Sequence, residues 1–519
     1  MQLLVTADQM RSFDRETIER LRIPGLLLME NAGRECVRAL QRAVTLRGKK
    51  VLVVCGRGNN GGDGFVIARH LAGLAGSVDV IVLGSPAGLR GDAEVNIRAL
   101  RAIAARIPGA VSVRAIRSAT GFRRLPAADV IVDAILGTGF AGEVRGLPAA
   151  AIRWINRRKA FVLAVDVPSG VDASTGIAGG PAVRADLTVT MAAAKIGHFV
   201  GEGCDLSGRV EVGEIGIPEF VMKPPRDGVF RTLPEDLQGL LPTRKRTAHK
   251  YSVGKVLVLA GSRSFTGAPV LAAEAVLRSG SGAVVLGVPA SAHRVVARKV
   301  AEVIVQPLEE TAAGTIAGSA SPWIRERLGW ADVVAVGPGV GRNEETDALI
   351  IDTVRSAPCP VVLDADGLTA FTPRLRMLRK RKQPTVVTPH AGELGRLMGF
   401  ASAEIELDRV GHARRAAKRL GCIVVLKGAP TVTAHPSGKV VVNSTGNPGM
   451  ATIGSGDVLT GLIAGLIAQG MPAADAAWAG AYLHGSAGDF AKEKYGIRGL
   501  LASDILSHIP DALRGVHAS

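Results

Sequence analysis

One pattern recurs along the chain: a short valine-rich run, a glycine-rich turn, then a stretch of helical periodicity. The run KVLVVC at 50–55 feeds GRGNNGGDG, and KVLVLA at 255–260 feeds GSRSFTGAP. Runs this short and this apolar fit strands buried on both faces of a parallel sheet. Their alternation with helices predicts doubly wound α/β layers, which hold ligands outside the carboxyl ends of the strands. In the first half, further strands are expected at 78–83, 129–134, 161–165 and 187–191, with helices near 92–104 and 148–158. Pro218, Pro224, Pro225, Pro234 and Pro242 then break the pattern before the basic run Arg244, Lys245, Arg246. A second series follows, with strands expected at 255–260, 282–288, 301–305, 332–336, 360–363, 385–387, 422–426 and 440–442. A chain of 519 residues exceeds one ordinary core. The expected organisation is therefore two α/β domains, 1–218 and 244–519, joined by a linker at 219–243.

The net charge of +17 calls for partners of opposite sign, either nucleic acid or phosphorylated metabolites. The basic residues cluster at 153–159, 374–382 and 414–419, on or beside predicted helices, as solvated faces do. With three Tyr and four Trp there is no platform for stacking bases, so no specific nucleic-acid partner is expected. Cys36, Cys55, Cys204, Cys359 and Cys422 lie far apart and form no CxxC pair, which argues against a disulfide framework or a zinc site. No apolar run reaches membrane-spanning length and no basic-then-apolar leader opens the sequence. A cytoplasmic protein with no membrane partner is the expectation.

The first glycine-rich stretch contains Gly-x-Gly-x-x-Gly at Gly56, Gly58 and Gly61. A dinucleotide fingerprint wants an acid at the far end of the next strand, and Asp79 begins that strand instead, so the dehydrogenase reading is weak. The segment Asn59, Asn60, Gly61, Gly62, Asp63 is richer than that fingerprint needs. Its amides and carboxylate suggest both an anion cradle and an oxygen ligand set for a cation. Two further strands end in acids: Asp133 leads into Gly137, Thr138, Gly139, Phe140, Ala141, Gly142 and Glu143, and Asp166 leads into Ser169. A buried strand ending in Asp is costly unless the carboxylate is paired or binds something. Such ends in one sheet converge on one crevice.

These motifs, VCGRGNNGGDGFVIARHL, VDAILGTGF, VDVPSGVDASTG and TVTMAAAKIGH, resemble the epimerase domain of NAD(P)H-hydrate repair enzymes, over about 1–218. The resemblance implies a Rossmann-like fold that inverts the hydrated C6 carbon of the nicotinamide ring. It puts Asn59 to Asp63, Gly137 to Glu143 and Asp166 on the hydrated dinucleotide. It puts Asn60, Asp133 and Ser169 around a potassium ion, with Asp133 as the candidate acid/base. Lys195 in the KIG motif is read first as a surface lysine, with a site-facing lysine as the alternative.

In the second half the same logic collects Gly267 and Ala268 at a helix start, Gly337 to Gly341, Asp364 to Gly367, Thr388 to Glu393, and Lys427, Gly428, Ala429, Pro430, Thr431. The last loop returns to NPGMATIGSGDVLTG, a glycine-rich turn entering a buried helix with Asp457 in its first turn. Free amides at a helix start form an anion site, and Gly454 and Gly456 let a phosphate come close. A lone Asp there often only stabilises the helix start, worth ~0.3–1 kcal/mol.

Gly-x-Gly-Asp at a late helix start resembles the ribokinase superfamily. GSRSFTGAPVLAAEAVLRSGSG, GPGVGRN, DADGL, TPHAGE, KGAPT and NPGMATIGSGDVLTG resemble more closely the ADP-dependent NAD(P)H-hydrate dehydratase domain, over about 244–519. That resemblance implies a ribokinase-like fold, with Ala268, Gly339, His390 and Asp457 on the hydrated dinucleotide. Lys427 to Thr431 and Gly456 would contact the adenine nucleotide, and Asp457 would be catalytic. One departure stands at His249 to Gly254, where the family often has glycine after the lysine. The implied whole is a fused isomerase and lyase acting on NADHX and NADPHX, with potassium in the first domain and ADP with magnesium in the second. It would give AMP and phosphate, and a homo-oligomer is expected. Two alternatives stay open at this level: a ribokinase-type kinase of a small alcohol, and an RNA-associated interaction module in the first half.

Overall fold

The computed structural model describes residues 1–518. It divides into an N-terminal unit, Leu3–Pro225, and a C-terminal unit that runs from Arg226 onward and takes in Met1–Gln2.

The N-terminal unit is built on a seven-stranded parallel sheet. Its order is Val111–Ile116, Ser77–Leu83, Lys50–Cys55, Val130–Ala134, Phe161–Val165, Leu187–Met191, Arg209–Gly213. The first of these strands in the chain lies inside the sheet, and later ones add outward on either side, which is the Rossmann-like arrangement. The direction reverses between Lys50–Cys55 and Val130–Ala134, so the loops leaving those strands diverge and open a crevice. Val51 to Cys55 and Val130 to Ala134 are wholly buried, as strands covered on both faces must be. The outermost strands, Val111–Ile116 and Arg209–Gly213, escape the sequence reading because Arg114 and Glu211 interrupt their apolar pattern at half-exposed edges.

A short parallel pair completes the unit: Leu4 lies opposite Ala194 and Val5 opposite Lys195. Thr6 then caps the helix Ala7–Arg15 with a reciprocal box to Gln9. The Asn-rich stretch expected as a loop is the opening of the helix Asn59–Leu71. Gly61 is required there, because a Cβ would run into the Gly56 carbonyl.

The C-terminal unit carries the second sheet. Its order is Ile304–Leu308, Ala283–Pro289, Lys255–Leu259, Val333–Val336, Val361–Leu363, Thr385–Val387, Ile423–Leu426, Val432–Ala434, Val440–Val442, Val229–Arg231. Val432–Ala434 pairs antiparallel on both sides and the other pairings are parallel. The order again reverses, between Lys255–Leu259 and Val333–Val336. The stretch 219–243, expected as a linker, contains Val229–Arg231, which pairs with Val440–Val442 and so belongs to this sheet. Three residues among prolines are too short a run to read as a strand. The helix Ser455–Ala468 buries Val458, Leu459, Leu462, Ile463 and Leu466 against the sheet and its neighbours, which holds its first turn in place. No helix among the described residues is long and apolar enough to cross a membrane.

Candidate functional sites

In the N-terminal unit a cavity of about 900 Å³ opens at the crevice between the Lys50–Cys55 and Val130–Ala134 strand ends. Asn59, Asn60, Asp63, Gly137, Thr138, Gly139, Phe140 and Asp166 line it, together with Asp14 and Lys195. Asp166 sits in the left-handed region at φ 68°, which turns its carboxylate back toward the sheet. Lys195 Nζ donates to Asp166 Oδ1 at 2.6 Å, to Thr190 Oγ1 at 2.8 Å and to the Met191 carbonyl at 3.0 Å. The Thr138 amide donates to the other carboxylate oxygen. Burial would raise the Asp166 pKa, but the Lys195 charge and hydrogen bond, with His198 and the Met191 amide, together outweigh it and hold the carboxyl at about 2. The buried His198 accepts from the Lys195 amide through Nδ1, so its Nε2–H donates to the Asp166 carbonyl. Burial, with Lys195 beside it, drives this imidazole down to about 4. Lys195 is thus fully buried, not the surface lysine expected.

Asp133 stands behind the cavity wall. Its Oδ1 accepts from the Ser169 hydroxyl at 2.6 Å and the Ile135 amide at 3.2 Å, and its Oδ2 from the Ser169 amide at 2.8 Å. Burial pushes its carboxyl up to about 6, against the Ser169 hydrogen bonds. It has no cationic side chain as partner among the described residues. The buried Nδ2 of Asn60, at the start of the helix Asn59–Leu71, has no hydrogen-bond partner. The Asp133 carboxylate and the Ser169 hydroxyl are the hard oxygens that suit a weakly hydrated monovalent cation, whereas the unpartnered Asn60 Nδ2 is a donor and calls for an acceptor.

In the C-terminal unit the chemistry gathers around Lys427. Its Nζ is 2.7 Å from Asp364 Oδ1 and 3.8 Å from Glu393 Oε2. Thr460 donates to Asp364 Oδ2 at 2.7 Å, so that buried carboxylate is fully satisfied. Burial works to lower the Lys427 pKa, but Asp364 and Glu393 together raise it, and the ammonium stays charged. Asp457 lies in the first turn of Ser455–Ala468. Burial, then the Asp364 charge, pushes its carboxyl up to about 7, with Lys427 opposing. Gly456 leaves the approach open: a Cβ there would sit 3.2 Å from Lys427 Nζ. The result is a carboxyl poised near neutrality next to a fixed cation and the amides of a helix start.

Two family models match this chain. The one described as NAD(P)H-hydrate dehydratase covers residues 256–511, and the one described as YjeF-related protein N-terminus covers 25–197. The bifunctional NAD(P)H-hydrate repair enzyme of Moorella thermoacetica is 41% identical over 99% of this chain and 97% of its own length. That of Thermofilum pendens is 40% identical over 98% and 95%. The chain belongs to the bifunctional NAD(P)H-hydrate repair enzyme family. Among solved structures, an ADP/ATP-dependent NAD(P)H-hydrate dehydratase from Bacillus subtilis is 30% identical over 55% of this chain and 97% of its own, with a TM-score of 0.48.

Within that family assignment, the geometry sorts the expected residues. Gly61 and Gly62 are buried inside their helix, and Gly62 has Met29 and Ala93 against it. Ala141, Gly142 and Glu143 are exposed and do not line the cavity; Glu143 pairs with Arg145 at 2.6 Å. Asp133 does not line it either, and its oxygens accept from Ser169 and the Ile135 amide. Ala268 opens the helix Ala268–Arg278, and Phe265 and Ala268 bound the space beside Gly339. His390 caps the helix Ala391–Met398: Nδ1 accepts from the Gly392 and Glu393 amides, while the ring stays 55% exposed and available on its outer edge. Gly428 and Ala429 are exposed, and the Thr431 hydroxyl donates to the Gly428 carbonyl.

Asp364, collected from the sequence only as part of a strand-end loop, anchors Lys427. Two residues of consequence escape the sequence reading. Arg409, buried beneath the 427–431 loop, donates to the carbonyls of Leu426, Lys427 and Pro430 and holds its shape. Asp14 faces the N-terminal cavity from a helix that carries no glycine-rich motif.

Proposed function

We propose that the two units divide the repair of hydrated NAD(P)H between them. The N-terminal unit interconverts the R and S forms at C6. The C-terminal unit dehydrates the S form at the expense of ADP, giving AMP and phosphate. The observation that carries the second assignment is Asp457: a carboxyl held at about 7 at a helix start beside Lys427. Asp457 takes the C6 hydroxyl proton as that oxygen attacks the terminal phosphorus of ADP and AMP departs. Lys427 and the amides after Gly454 stabilise the charge that builds on the phosphoryl oxygens. Phosphate then leaves C6, a proton is lost from C5, and the ring double bond returns. Ala268, Gly339 and the outer edge of His390 bound the hydrated ring, while 427–431 and Gly456 receive the nucleotide.

Magnesium would arrive on the nucleotide phosphates, whose charge it neutralises. No cluster of three or more His, Cys, Asp or Glu among the described residues is arranged to hold it. Potassium fits the oxygens of Asp133, Ser169 and Asn60, where it would balance the buried carboxylate and order the cavity wall. Asn59, Asp63, Gly137 to Phe140 and Asp166 would hold the dinucleotide.

Product analysis tests this reading against the small-alcohol kinase alternative. Purified protein given S-hydrate and ADP is expected to release AMP, phosphate and NAD(P)H in equal amounts. A stable phosphorylated product without recovery of the nicotinamide chromophore would contradict it.

A further inference from the structure

The N-terminal cavity holds more acid than substrate binding needs. Four acidic residues line it: Asp14, Asp63, Asp92 and Asp166. Asp166 is committed to Lys195, Thr190 and the Thr138 and Met191 amides. Asp14 and Asp63 form no hydrogen bond or ion pair among the described residues, yet both face the same space. Partly buried carboxylates left without partners beside a cavity are costly to ionise unless a ligand engages them.

The fold delivers Asp14 there deliberately. Val5 lies opposite Lys195 in the parallel pair, and the chain turns at Thr6 straight into the helix Ala7–Arg15. The register that seats Lys195 therefore also seats the helix bearing Asp14. Asp63 comes from the helix after the Lys50–Cys55 strand.

We propose that Asp14 is a catalytic residue of the epimerisation, acting with Asp63 as the acid–base pair that opens and recloses the hydrated ring. This rests on the epimerase reading of the N-terminal unit. One carboxylate takes the C6 hydroxyl proton; the C6–N1 bond breaks as its electrons go to nitrogen, and the other, as a carboxylic acid, gives N1 a proton. The open form carries an aldehyde at C6. Rotation about C5–C6 presents its other face, and the same transfers in reverse close the ring with inverted configuration. No oxidant or reductant is consumed, and the two carboxyls exchange one proton per passage.

The electrostatics agree with that division. Burial raises Asp14 to about 6, with Lys195 opposing and Asp166 adding to the rise. Burial also raises Asp63 above the usual carboxylate range, with Asp166 and Asp14 adding as like charges. Two like-charged carboxyls facing one cavity favour sharing a proton between them. Lys195 and Asp166 act on Asp14, and Asp166 on Asp63, through charge alone, and neither is assigned a proton transfer.

The test uses the full-length protein and separated R and S hydrates. Failure of the wild type to interconvert them would remove the epimerase reading itself. Given an active wild type, Asp14→Asn and Asp14→Ala are expected to lose ~10²-fold or more in kcat for epimerisation. KM should stay within about threefold, the rate on the S form with ADP should be unchanged, and added formate should raise the Asp14→Ala rate at least about fivefold. Epimerisation in H₂¹⁸O should leave the original oxygen at C6. A kcat within about threefold of wild type, a loss confined to KM, or formate insensitivity would overturn the role of Asp14. Uptake of one solvent oxygen per inversion would overturn ring opening.

Discussion

Lys427 and Asp364 form a buried ion pair, Nζ to Oδ1 at 2.7 Å, with the Asp364 side chain 1% exposed. The pair fixes a cation at the floor of the C-terminal site and ties it to the helix of Asp457 through Thr460. Removing one partner leaves the other buried and uncompensated.

Lys427→Met is therefore expected to destabilise the C-terminal unit by ~3–5 kcal/mol, read as a shift in its denaturant midpoint. It also removes the charge that restrains the Asp457 pKa. The rising limb of the dehydratase pH profile should move to higher pH in any folded fraction. An unchanged limb would separate Lys427 from Asp457.

Asp457 acts as a base only when ionised, so dehydration should rise with pH through about 7. Asp457→Asn should lower the rate on S-hydrate by ~10²–10⁴-fold. Stability should respond the other way. A carboxyl raised above its unfolded pKa stabilises the fold at low pH and loses that contribution as pH rises through about 7. At pH above that value Asp457→Asn should melt no lower than wild type.

Asp166 carries the opposite sign. Its folded pKa of about 2 lies below the ordinary Asp value of 3.8, so its contribution is present above 3.8 and lost as pH falls through about 2. The shift corresponds to about 2–3 kcal/mol. Lys195→Met should remove that acid dependence from the unfolding of the N-terminal unit, measured in denaturant at several pH values.

Asp133→Asn should abolish use of the R-hydrate while sparing dehydration of the S form. Replacing potassium by a bulky organic cation should mimic it in the wild type. Equal loss on both substrates in either experiment would contradict the two-site division.

Much of this was legible because glycine and acid at strand ends are local signals. The Lys50–Cys55 strand, its glycine turn, Asp166 and the Gly454–Asp457 helix start all lie within motifs that the sequence displays whole. What was hidden depends on register between distant segments. Lys195 reads as surface until its strand is paired with Gln2–Val5 and Asp166 is brought to 2.6 Å across 29 residues of chain. Asp14 reads as one more charge on a polar helix until the same pairing points it into the cavity. Arg409 sits in a basic helix that looks solvated, yet its guanidinium is buried under the 427–431 loop. His390 shows the converse: a conspicuous histidine whose Nδ1 serves the backbone as a helix cap.

The central claim is that one chain both inverts and dehydrates hydrated NAD(P)H at separate sites. The direct measurement follows NADH recovery from purified R-hydrate and S-hydrate, each with and without ADP, in wild type and Asp457→Asn. The account predicts recovery from both epimers only with ADP in the wild type. The variant should show none, but should still convert R-hydrate to an R and S mixture. Recovery without ADP, or loss of interconversion along with dehydration in Asp457→Asn, would contradict it.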